Sequence, residues 1–117
     1  MFRLFSGNIR MPDVAFAPKE RFPDGLPKGP IWSLSPSLAV EVLSISNTVA
    51  EIDRKRAEFF ASGVVLMWVI DPAPRTVTVY LKDAAPIVKE PSDVLEGGTA
   101  LPGFSLNLSE LFGVMDL

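Results

Sequence analysis

Hydrophobic positions along the chain come in short runs, each closed by glycine, proline or a polar cluster. Phe2 to Phe5 reads as a short strand and Ile9 to Ala17 as a second, and the Gly7-Asn8 pair between them suits a hairpin turn. Lys19 to Ser35 carries Pro23, Pro27 and Pro30 and reads as a loop. Leu38 to Leu43 is a strand with one charge inside it, Glu41. Thr48-Val49-Ala50-Glu51 matches a capping box, in which side chains satisfy the open backbone donors of a helix start, and Gly63 supplies a stop. At about 100° per residue, Val49, Ile52, Phe59 and Phe60 share one apolar stripe of that helix, with Lys55 at its edge. Val64 to Ile70 is almost continuously apolar, as expected of a strand covered on both faces. After a turn over Asp71 to Arg75, Thr76 to Leu81 alternates like a half-buried strand antiparallel to its predecessor. The tail holds Gly97-Gly98, Leu101-Pro102-Gly103-Phe104 and a short helix near Ser109 to Phe112. The order is three strands, a helix and two strands, which predicts an α/β domain. The early strands form a meander, and the helix crosses over, right-handed, to the Val64 strand.

Composition narrows the chemistry. The chain has 117 residues, 48% of them hydrophobic and 21% charged, which is one globular domain. No apolar run approaches the roughly 20 residues of a membrane span, and no secretory signal is visible, so a cytoplasmic location without a membrane partner is expected. The absence of cysteine excludes disulfides, thiolate metal sites and thiol nucleophiles, and the absence of histidine excludes a Ser-His-Asp triad. Catalysis is left to carboxylates, Lys, Ser/Thr, Tyr80 or a metal ion. The net charge of −3 argues against broad electrostatic binding of nucleic acid, although a bound divalent cation reverses the local sign.

Two carboxylates stand inside predicted strands, Asp13 and Glu41. Strand parity sets Val14 and Phe16 opposite Asp13, and Val40 and Val42 opposite Glu41. If those apolar faces rest on the Thr48 helix, both acids point to the other side of the sheet and converge there. Two carboxylates about 4 Å apart repel by about 4 kcal/mol at an effective dielectric of 20. They need a shared proton or a hard cation, for which Mg²⁺ is the fitting choice, and Lys55 would then hold a phosphate or neutralise developing charge. A plainer reading stays open. A strand Glu on a wet face is common, and Glu51 with Lys55 is an ordinary helix-surface pair worth about 0.3 kcal/mol. Trp68 reads as core, and Trp32 as a loop anchor or a base-stacking contact. Ser44, Ser46 and Asn47 serve a turn or face a phosphate, and Arg56 lays its stem across the apolar stripe of the helix.

Five blocks carry a resemblance. They are Arg10-Met11-Pro12-Asp13-Val14-Ala15-Phe16, Pro36 to Ser44 around Glu41, Lys55 with Phe59 and Gly63-Val64, Met67-Trp68-Val69-Ile70-Asp71-Pro72, and Leu101-Pro102-Gly103-Phe104. Together they resemble the Uma-two family of restriction-endonuclease-like proteins, of the PD-(D/E)xK superfamily, over nearly the whole chain. The resemblance implies a mixed sheet flanked by helices and Mg²⁺- or Mn²⁺-dependent hydrolysis of phosphodiester bonds in DNA. It implies Asp13, Glu41 and the Val42 carbonyl as metal ligands, and Asp13, Glu41 and Lys55 as the catalytic set. Lys55 replaces the lysine that the superfamily places two residues after the Glu, where Leu43 stands here. Ser37 and Phe59 occupy positions where relatives usually carry Asp and Tyr. Relatives also carry an additional N-terminal segment with a helix, so the chain reads as N-terminally truncated, with exposed apolar surface and a tendency to homodimerise. The alternatives are an inactive nuclease-fold remnant that binds without turnover, or an assembly module working through its sheet edge.

Overall fold

The computed structural model describes residues 2–3, 9–10, 14–17 and 36–115. Its centre is a five-stranded mixed sheet in the order β3-β4-β5-β6-β7. The strands are β3 (Val14–Phe16), β4 (Leu38–Val42), β5 (Leu66–Asp71), β6 (Thr76–Leu81) and β7 (Ile87–Lys89). A hairpin of β1 (Phe2–Arg3) and β2 (Ile9–Arg10) precedes it, and a second hairpin, β8 (Val94–Glu96) with β9 (Ser105–Asn107), follows it. The helices are α1 (Val49–Ala61) and α2 (Leu108–Met115). Among the described residues no helix is long and apolar enough to cross a membrane.

The meander expected at the start is divided between two sheets among the described residues. The expected second strand is carried in two stretches, β2 against β1 and β3 against β4, both antiparallel. The Gly7-Asn8 turn, the Lys19 to Ser35 loop and Trp32 lie outside the described residues. β4 and β5 are parallel, so the chain between them must cross over, and α1 is that crossover. Thr48 caps α1, its Oγ1 accepting from the Glu51 amide at 3.1 Å. At the other end Gly63 takes φ 111°, a left-handed turn that a residue with a Cβ adopts only with strain.

Both faces of the sheet are covered, which accounts for the unbroken burial of β5 from Leu66 to Ile70. Leu38, Val40, Trp68, Ile70, Val77 and Val79 point to one side, where they meet Leu95 of β8 and Leu108 and Phe112 of α2. Ala39, Met67 and Val69 point to the other and pack under Ile52 and Phe59 of α1. Val49, expected on that apolar stripe, is 79% exposed. It is the first residue of the helix and projects past the packed part. On the α2 side the cover is incomplete. An apolar groove of about 370 Å³ runs between Val40, Trp68 and Ile70 and the Leu95–Leu111 region, with exposed Val14 and Phe16 at its rim.

Candidate active site

β4 and α1 bring the site together. Glu41 is the fourth residue of β4 and pairs with Val69 of β5. It therefore shares a face with Ala39, on the α1 side of the sheet. The expectation that Glu41 points away from the helix is corrected here. β4 carries apolar residues on both of its faces, and it is the pair Leu38 and Val40 that turns from α1 and toward α2.

The Glu41 carboxylate is buried, with 6% of its side chain exposed. Isolated burial of a carboxylate costs several kcal/mol, so it needs compensating charge or hydrogen bonds. Lys55 answers from α1, its Nζ 3.6 Å from Glu41 Oε2 and its side chain 29% exposed. Lys55 lies three residues after Ile52 and four before Phe59, the two buried anchors of α1. The docking that buries those anchors also sets the ammonium over the strand. Among the described residues Lys55 pairs with Glu41 and not with Glu51, so the plain surface-pair reading of Lys55 does not hold.

Val42 follows at the end of β4, its side chain on the opposite face and 37% exposed. Leu43, two residues after Glu41, donates its amide to the Ile70 carbonyl at 2.8 Å and packs its side chain into the α1-side core, so this position is structural. Ser37 is buried, and its hydroxyl donates to the Phe16 carbonyl at 3.1 Å, tying β4 to β3. The Ser44–Asn47 turn is closed on itself. Asn47 Oδ1 accepts from the Ser44 amide at 2.8 Å and from its hydroxyl at 3.1 Å, and the Ser44 and Ser46 hydroxyls lie 2.9 Å apart. Turn duty accounts for these three residues. Trp68 is core, as expected. Asp13 lies outside the described residues. Its neighbour Val14 is the Cα partner of Val40, and Glu41 follows Val40.

Among the described residues no three acidic, histidine or cysteine side chains cluster around a common point. The described donors are one buried carboxylate and the main-chain oxygen beside it, an all-oxygen set. Mg²⁺ suits that chemistry, since it takes oxygen ligands, few of them from protein, and keeps several of its waters. The feature that sequence reasoning missed lies on the other flank of α1. The Arg56 guanidinium stands 4.9 Å from the Tyr80 ring centroid. The signal for it was the half-buried alternation of β6, which turns Tyr80 toward the helix.

Comparison with solved structures finds a crystal structure described as a putative nuclease belonging to DUF820, from Anabaena variabilis. The TM-score is 0.78 at 22% identity, covering 89% of this chain and 60% of that one. The chain thus spans 60% of the length of that relative, and the likeness is one of fold: an α/β architecture on a mixed five-stranded sheet. No curated protein matches. The model of the Uma2 family, described as "Putative restriction endonuclease", matches residues 1–109. With the match spanning nearly its whole length, the chain belongs to the Uma2 family.

Proposed function

We propose that this chain is a metal-dependent endonuclease domain and hydrolyses phosphodiester bonds in DNA. The observation that carries the reading is the buried Glu41 carboxylate held 3.6 Å from Lys55 Nζ by a strand and its crossover helix. A buried acid beside a half-buried ammonium is a poor device for stability, because desolvation offsets most of the attraction. It is a good device for chemistry, because an amine that stays near an acid is also poised for a phosphate oxygen. Membership of a family described as "Putative restriction endonuclease" points the same way.

In this reading Asp13, Glu41 and the Val42 carbonyl hold Mg²⁺ or Mn²⁺. When bound, the ion supplies an acidified water for in-line attack on phosphorus and neutralises charge on the phosphate. The rest falls to the chain. Glu41 orients that water through its second oxygen. Lys55 donates to a non-bridging phosphate oxygen, where charge accumulates as the new P–O bond forms and the bond to the leaving sugar oxygen breaks, that oxygen taking a proton from solvent. The α1 helix above them excludes bulk water from one side, which strengthens both interactions.

The test is a Mg²⁺ and Mn²⁺ titration by calorimetry, wild type against Asp13→Ala and Glu41→Ala, with plasmid cleavage in parallel. Wild type is expected to bind the ion and nick the plasmid, and either substitution is expected to remove both. Identical heats for wild type and both variants would refute the site.

A further inference from the structure

Lys55 and Arg56 are neighbours on α1, about 100° apart around the helix axis, so they reach down opposite flanks of the buried Ile52–Phe59 line. Lys55 meets Glu41 of β4. Arg56 meets Tyr80 of β6, its guanidinium 4.9 Å from the ring centroid. An open cleft of about 420 Å³ lies on that flank, between the second half of α1 and the turn after β6, within the size range of small-ligand clefts. Its walls include Arg56, Ala57, Phe60, Leu81, Lys82 and Asp83.

Arg56 is held by an aromatic ring and an acid and still has donors to spare. Its Nη2 is 3.6 Å from Asp53 Oδ1, an ion pair too long for a hydrogen bond. Its Nε is buried with no acceptor, and among the described residues the guanidinium donates no hydrogen bond. The Nη donors of a guanidinium held over an aromatic ring suit a phosphate. Lys82 adds a second cation to the cleft beside Arg56, with Asp83 in the wall and Asp53 next to Arg56 as the acids. Between the cations the surface is apolar, made by Ala57, Phe60 and Leu81. A cationic rim beside an aromatic floor matches a nucleotide, with phosphate on the rim and base on the floor.

We infer that this cleft is a nucleotide subsite. It takes one nucleotide of the substrate strand away from the bond to be cut, with Arg56 and Lys82 on its phosphate and Phe60 under its base. The inference rests on the nucleic-acid substrate of the preceding section but not on hydrolysis, and the two come apart in experiment.

Binding of a short fluorescein-labelled oligo(dT) is followed by anisotropy in EDTA over a range of salt concentrations, with dTMP titrated separately by calorimetry. Arg56→Met keeps the stem and removes the charge. It is expected to weaken oligonucleotide binding about tenfold, the worth of one charge-assisted contact. The slope of log K against log salt should fall by about 0.7, one phosphate on a single strand. Lys82→Met is expected to act in the same direction, and Arg56→Lys to restore the slope but only part of the affinity. If dTMP also binds and loses its heat in Arg56→Met, free nucleotides enter the subsite as well. If only the oligonucleotide responds, the strand is the source. Unchanged affinity and slope in folded Arg56→Met and Lys82→Met, or no binding of either probe to wild type, would overturn the subsite. Wild type that binds through Arg56 yet never cleaves with Mg²⁺ would overturn the nuclease reading and leave the subsite standing.

Discussion

Replacing Lys55 by Met tests the geometry most directly. The substitution keeps an unbranched stem against α1 and the sheet and removes the ammonium that lies 3.6 Å from a carboxylate with 6% of its side chain exposed. At that distance the Coulomb attraction is on the order of 5 kcal/mol with an effective dielectric of 20. Lys55 is 29% exposed, so solvent screens part of that, and Glu41 has further interactions of its own. The net loss of stability is therefore expected near 2 kcal/mol, above the usual range for exposed pairs. Urea unfolding followed by the fluorescence of buried Trp68 reads it as a shift in midpoint at constant slope. The decisive arm is a double-mutant cycle. In a Glu41→Gln background the same Lys55→Met change should cost only a few tenths of a kcal/mol, because there is no longer a charge to abandon. Equal losses in the two backgrounds would mean that Lys55 contributes packing alone, and the argument from charge would be wrong.

Two other outcomes are expected. Lys55→Met should bind Mg²⁺ more tightly than wild type, since a competing cation beside Glu41 has gone, while plasmid cleavage falls; calorimetry and gel assay on one preparation read both, and weaker metal binding would contradict the arrangement. Phe59→Ala empties a fully buried position under α1 and should cost about 3–5 kcal/mol in urea unfolding, with loss of cleavage as the helix that carries Lys55 loosens.

Much of this architecture was legible from local pattern. α1 announced itself through Thr48 and Gly63, and β6 through strict alternation over six residues. β5 showed itself through unbroken apolarity, which meant cover on both faces. The same two-sided cover made the direction of Glu41 unreadable. With Leu38, Ala39, Val40 and Leu43 all apolar, either face of β4 passes for the helix side. Only the tertiary choice between α1 and α2 decides it. β7, β8 and β9 escaped because each has three residues, too few for a period to register, among Pro86, Pro91, Gly97 and Pro102. The Arg56–Tyr80 contact joins positions 24 residues apart in sequence (80 − 56) and depends on which flank of α1 lies over β6. The Arg56 stem was expected to lie across the apolar stripe of α1, and its guanidinium reaches Tyr80 on β6.

The parallel pairing of β4 and β5 has one more implication. Acid and ammonium belong to the same strand–helix–strand unit, and the pair forms as α1 packs back on β4. The pair is thereby tied to the docking of α1 through Ile52 and Phe59, and any loosening of that helix separates the two charges.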